Sequence, residues 1–348
     1  MSRLLIICQK VDENDDLLGF FVSWIAGFAA HFTEVDVITL GVGSYALPVN
    51  VRVHSLGKER GVPKWRQALY LVHLLWRYTP GHGAVFCHMS PIFAIVAWPL
   101  AAIRCSRLVL WYLHRSRTLK LRLALMFSNR LVTADAESLT VRSQKIIAVG
   151  HGIDVERFTV SGRTPPVGRP LRILSVGRLS PIKGLETLIR AAALLGEHEI
   201  PVDVRIVGKA VMSGDHEYAR LLQELVSRLG LTGSVHFWGF VPYRDIAPLY
   251  AWADIVVGCT PTGGIDKAIL EGMAAACTVV TSNIVMRKYF VPVHADEYMF
   301  RHGDPADLAD TLERLLSADL SSIGNDMQQV VTRNHNLPVT IGKIVTFL

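Results

Sequence analysis

Short apolar runs alternate with helix-period segments along this chain, and no other feature limits its fold so closely. The first half predicts strands at Leu4–Cys8, Val35–Leu40, Val51–Leu56, Ala84–His88, Leu108–Tyr112, Arg130–Thr133 and Ile146–Val149. The second half predicts them at Arg172–Val176, Val202–Val207, Val235–Trp238, Ile255–Gly258 and Thr278–Ser282. Strands separated by helices imply right-handed crossovers and parallel sheets covered on both faces. Residues 161–170 break all periodicity with three prolines and two glycines and read as a linker. The 348 residues suit two domains of ordinary size. The expected class is therefore α/β, with two doubly wound, Rossmann-like domains facing across a cleft. The first spans residues 1–160 and the second 171–330, and a tail at 331–348 packs back toward the first. Ligands in such sheets bind beyond the carboxyl ends of the strands.

Half of the residues are apolar, enough for large cores. The longest apolar stretch, Pro91–Ile103, is shorter than the roughly 18 residues needed to span a bilayer and contains Pro99. It reads as a buried helix. The N-terminus runs directly into a strand pattern rather than a signal-peptide layout. The five cysteines lie scattered in apolar surroundings without metal-ligand spacing, which implies reduced thiols in the cytoplasm. The net charge is +6, and cations from Lys64 to Arg130 gather among tryptophans, tyrosines and leucines. A solvated face or an anionic membrane surface would suit them. Nothing resembles a nucleic-acid-binding signature.

The most informative stretch is Val176-Gly-Arg-Leu-Ser-Pro-Ile-Lys-Gly184. It follows a strand pattern and leads into a helix with apolar residues at Leu185, Leu188, Ile189, Ala192 and Leu195. Helix starts expose unpaired N–H groups that favour phosphate. Arg178 adds a forked donor and Lys183 a point charge. A solvated basic loop would read the same way. Four further features follow in order. Gly208 ends one strand, where backbone could approach a ligand closely. Gly239-Phe240-Val241 ends another. Gly264, Asp266 and Lys267 stand in a loop entering a helix that carries Leu270 and Glu271. Each has a plain reading as a turn or cap, but together they fall on successive strand ends of one domain.

This order of residues resembles the donor domain of family-four glycosyltransferases, which are retaining, metal-independent enzymes of the GT-B fold. In the first half, Val149-Gly-His-Gly-Ile-Asp154 resembles a closing family segment, and Leu110-Trp-Tyr-Leu-His114 resembles a family strand that ends in its acceptor-side histidine. The resemblance implies that Arg178 and Lys183 bind the diphosphate of a UDP- or GDP-sugar, with Gly177 beside them. Glu271 would hold the ribose, the Phe240-Val241 backbone the base, and the Gly264 to Ala268 backbone the sugar and phosphate. His114 would lie under the transferred sugar, and Gly19 would let the phosphate approach. His88 and Asp12 are weaker candidates on the acceptor side. The acceptor would be a glycan or a lipid-linked molecule, met by a cytoplasmic enzyme peripheral to the inner membrane face.

The sequence departs from the family where its first glutamate is Gly263, and Asp266 and Lys267 stand nearby as replacement polar groups. The missing glutamate makes an inactive sugar-nucleotide-binding homologue a second reading. A sugar-nucleotide epimerase of the same fold is a third, although it would need acid and base carboxylates around the sugar, which this departure does not favour.

Overall fold

The computed structural model describes residues 3–115, 117–159, 168–261, 263–290 and 294–348. Most of the expected linker, residues 161–167, lies outside the described residues, as does Thr262. The chain divides into two compact units. One comprises Met1–Asp154, Pro242–Arg244 and Asn334–Leu348, the other Val155–Val241 and Asp245–Arg333.

The first unit holds seven strands: β1 (Arg3–Val11), β2 (Glu34–Val42), β3 (Val51–Ser55), β4 (Ala84–His88), β5 (Arg107–Trp111), β6 (Arg130–Thr133) and β7 (Ile146–Ala148). They run parallel in the order β3-β2-β1-β4-β5-β6-β7. Leu4 to Cys8 are all buried, because this central strand is covered on both faces. Alternate residues separate the two faces. Leu5, Ile7, Val85, Cys87, Leu108 and Leu110 join one apolar cluster with helices α2 (Lys64–Tyr78), α3 (Pro91–Ile103) and α4 (Leu119–Phe127). On the other face Phe86 and Trp111 meet Phe28 and Trp24 of α1 (Phe21–Ala29), at ring-centre distances of 4.9 and 4.7 Å.

The second unit holds β8 (Leu171–Val176), β9 (Val202–Val207), β10 (Val235–Gly239), β11 (Ile255–Gly258) and β12 (Thr278–Thr281). They too run parallel, in the order β10-β9-β8-β11-β12. Its helices are α5 (Val155–Phe158), α6 (Leu185–Glu197), α7 (Ser213–Arg228), α8 (Ala247–Trp252), α9 (Lys267–Ala274), α10 (Pro305–Leu315) and α11 (Leu320–Asn334). The start of β8 is anchored by a forked pair, with Arg169 donating to both oxygens of Asp254 at 2.7 and 2.8 Å. Asp254 also accepts from the Arg172 amide at 2.9 Å.

A last helix, α12 (Leu337–Val345), returns to the first unit and packs on α1. Ile153 N donates to His335 O at 2.6 Å, and Leu337 N donates to Ile153 O at 2.8 Å. Gly152 has φ +70°, and a Cβ there would stand 2.5 Å from the Trp24 ring. The glycine-rich segment before Asp154 is thus fitted against α1 at one end and the returning tail at the other.

Four strands, β3, β5, β7 and β12, end one residue earlier than their sequence patterns predict, and for β5 this bears on the site. Strand β5 stops at Trp111, although the Tyr112 amide still reaches Val132 O at 3.0 Å. His114 therefore stands three residues beyond the strand, in an exposed loop, rather than at its end.

Candidate active site

The carboxyl ends of β8, β9 and β10 are laced together through backbone. Gly177 N donates to Val207 O, Gly208 N to Gly239 O and Leu179 N to Lys209 O, at 2.9, 2.8 and 3.1 Å. Gly208 has φ +142°, and a Cβ on it would fall 1.9 Å from Gly177 O. Only glycine permits this approach, and the approach fixes the loop that starts at Arg178.

That loop is tighter than an extended run. Ser180 is extended, but residues 181–183 form one 3-10 turn and Gly184 adopts the left-handed conformation before α6 begins. The first amide of α6, Leu185 N, is taken by Tyr218 Oη at 2.9 Å. The loop thus offers mainly its side chains. Arg178 is half-buried and makes no side-chain hydrogen bond or ion pair with any described residue. Lys183 passes over Gly177, its Cε 2.9 Å from where a Cβ would be. Its ammonium ends 3.1 Å from Asp266 Oδ2.

Asp266 carries several roles. Its Oδ1 accepts from Ala268 N at 3.2 Å, capping α9, while Oδ2 accepts from Thr260 Oγ1 at 3.2 Å. Helix α9 also carries Glu271, which is buried and accepts from the Tyr250 hydroxyl at 2.9 Å. Lys267 Nζ lies 2.9 Å from Glu271 Oε1 as an ion pair. Burial lowers the Lys267 pKa, and Glu271 counters that by holding the charged form. Leu270 is wholly buried and packs in the core. Asn283 donates to Gly264 O at 2.9 Å and fixes the loop ahead of α9. Beyond β10, Phe240 and Val241 are half-buried, and Lys209 Nζ stands 4.7 Å from the Phe240 ring centre.

In the first unit, Asp12, Gly19 and His88 lie beyond or at the carboxyl ends of the neighbouring strands β1 and β4. Asp12 is built into the loop, accepting from Asn14 N and Ser44 N at 3.0 and 3.2 Å and pairing with Lys10 at 3.0 Å. Gly19 is pressed against Glu13 O and Asp15 O, where a Cβ would come within 2.9 and 3.0 Å. His88 is fully buried and stacked on Phe21 at 3.8 Å, and neither ring nitrogen has a partner. Burial, helped by nearby His151, pushes its pKa down to about 3. His114 is exposed, yet the protein around its ring disfavours the charged form and lowers its pKa.

Sequence reasoning singled out the loop cations and Glu271 but missed Tyr250, Tyr218, Lys209 and Asn283. Tyr250 carried no signal, because its distance to Glu271 spans a helix, a strand and a loop.

Residues 170–318 match the Glycosyl transferases group 1 family. The match lies within the second unit, apart from Pro242–Arg244, and covers less than half of the chain, and the family-four resemblance of the sequence fits it. Over 206 residues the chain is 31% identical to a D-inositol 3-phosphate glycosyltransferase of Corynebacterium urealyticum, covering 54% of this chain and 48% of that protein. Over 179 residues it is 30% identical to the amylovoran biosynthesis glycosyltransferase AmsK of Erwinia amylovora, covering 50% and 42%. The chain spans about half the length of the curated relatives it matches. Among solved structures, Anabaena HepE in complex with UDP aligns with TM-score 0.77 at 18% identity, covering 99% of each chain. Sucrose-phosphate synthase from Thermosynechococcus elongatus aligns with TM-score 0.79 at 16% identity, covering 99% and 98%. The fold is that of the GT-B glycosyltransferases.

Proposed function

We propose that the chain is a glycosyltransferase that moves a hexosyl group from a nucleoside-diphosphate sugar to a hydroxyl of a glycan or lipid-linked acceptor, with retention. The observation that carries this reading is the pair of loop cations. Among the described residues Arg178 has no side-chain partner and Lys183 is held by Asp266 alone, a carboxylate that a diphosphate can replace. In such a transfer the anomeric carbon becomes cation-like while the leaving diphosphate gathers negative charge, and stabilising that charge is the main catalytic demand. Arg178 and Lys183 meet it without calling on a metal. The acceptor hydroxyl passes its proton to the leaving phosphate oxygen as the new glycosidic bond forms.

In this reading Glu271, fixed by Tyr250 and Lys267, accepts hydrogen bonds from the ribose hydroxyls. The backbone at Phe240 and Val241 meets the base, and that from Gly264 to Ala268 lines the sugar and phosphate beside Gly177 and Gly208. His114 and Gly19 of the first unit serve the donor, and His88 and Asp12 belong to the acceptor side. UDP is the favoured nucleotide, since the HepE structure holds it. With a lipid-linked acceptor, the enzyme acts from the cytoplasmic side as a peripheral protein.

Incubation with a panel of UDP-, GDP- and ADP-sugars tests the reading. Release of free nucleoside diphosphate, slow by hydrolysis and faster with acceptor, supports it. A C2-epimerised sugar would instead identify an epimerase, and tight binding without turnover a homologue that has lost catalysis.

A further inference from the structure

Helix α2 is apolar on two sides. Gln67, Leu71, Leu74 and Leu75 are buried on one. Well round the helix, Trp65, Leu69, Val72 and Trp76 recur at i, i+4, i+7 and i+11 and are 60%, 65%, 51% and 64% exposed. No described element covers this second stripe. Ile103 at the end of α3 and Leu119 at the start of α4 are likewise exposed. Helices α2, α3 and α4 all cover the same face of the first sheet, so these side chains belong to one outer layer.

The charge of the sequence that carries these helices is just as one-sided. From Arg60 to Ala134 the sequence holds eleven Lys and Arg residues and no Asp or Glu. The rest of the chain has 36 − 11 = 25 cations against 30 acids and is net negative. All eleven cations are exposed. On α2, Arg66 and Arg77 run along one flank of the apolar stripe.

We propose that the outer layer of α2, α3 and α4 is a docking surface for an anionic lipid bilayer, with α2 lying flat in the headgroup region. Fifteen residues give α2 a length of about 22 Å. The tryptophans suit the interface, the aliphatic side chains reach just below it, and the flanking cations meet lipid phosphates. Charge and apolarity together select this partner. A polyanion without an apolar phase would bind the cations and leave Leu69, Val72 and Ile103 in water. A second copy of the chain would set this cationic layer against itself. The inference concerns the first unit's surface and is independent of the donor chemistry.

The test is co-sedimentation of the purified full chain with phosphatidylcholine vesicles, with and without about one-third phosphatidylglycerol. Binding is expected only to the anionic vesicles and should weaken with salt. Trp65→Glu with Trp76→Glu alters exposed positions alone, so the melting temperature should hold while the bound fraction falls about tenfold. Arg66→Glu with Arg77→Glu should act similarly. Wild-type protein that ignores anionic vesicles overturns the proposal, as does a tryptophan double variant that binds like wild type. Wild-type dimerisation abolished by the same tryptophan changes, seen by light scattering, would reassign the surface to self-association.

Discussion

The Lys183 ammonium sits 3.1 Å from the Asp266 carboxylate, and that carboxylate also caps α9. One acid thus holds a proposed diphosphate-binding lysine and starts the helix that presents Glu271. The two roles separate by substitution. Asp266→Asn keeps an oxygen for the Ala268 amide but loses the ion pair, so stability should change little while affinity for UDP, measured by calorimetry, rises several-fold. Asp266→Ala also loses the cap and should cost about 1 kcal/mol in urea unfolding. Equal destabilisation by both changes would contradict this division.

Arg178→Ala and Lys183→Ala should each reduce turnover at least about tenfold, because each removes a cation aimed at the leaving diphosphate. Circular dichroism should remain that of the wild type. Full activity in either folded variant would refute the assignment of the site.

Gly208→Ala places a methyl group 1.9 Å from Gly177 O at a φ that side chains rarely adopt. It should cost at least about 2 kcal/mol in denaturant unfolding and weaken UDP binding, since the loop of Arg178 must shift. Gly214→Ala is the control, because no atom lies within 4 Å of its Cβ position. A tolerated Gly208→Ala would show that the strand ends can move apart.

His88 is neutral in the fold, with a pKa of about 3 against the ordinary value of 6.5. The unfolded chain takes up a proton first as pH falls, so this group's contribution is complete above pH 6.5 and declines below it. The slope approaches about 1.4 kcal/mol per pH unit. Asp36 acts at lower pH: hydrogen bonds from His54 and His82 outweigh burial and hold its pKa well below the carboxylate range. His88→Phe preserves the stacking on Phe21 and should flatten the stability profile between pH 6.5 and 5. An unchanged profile would place the acid sensitivity elsewhere.

The two parallel sheets were legible because strands covered on both faces appear as unbroken apolar runs, as Leu4 to Cys8 do. The basic loop was legible because glycine, arginine and lysine fall at a strand-to-helix junction. What stayed hidden joins distant parts of the sequence. The Tyr218 hydroxyl occupies the first amide of α6, so expecting that helix start to serve phosphate overlooked a side chain from the following helix. Lys267 reads as a polar loop residue, yet it begins α9 and reaches one turn along to Glu271. His114 was expected at a strand end, but backbone pairing keeps Tyr112 beside β6 without extending β5.

The bridge between Ile153 and the segment from His335 to Leu337 also bears on synthesis at the ribosome. Helix α12 covers α1, but it is translated only after the entire second sheet. The first unit must therefore wait with α1 uncovered until the second unit and the segment Asn334–Leu348 have been made, whereas the second can close over its own interior first.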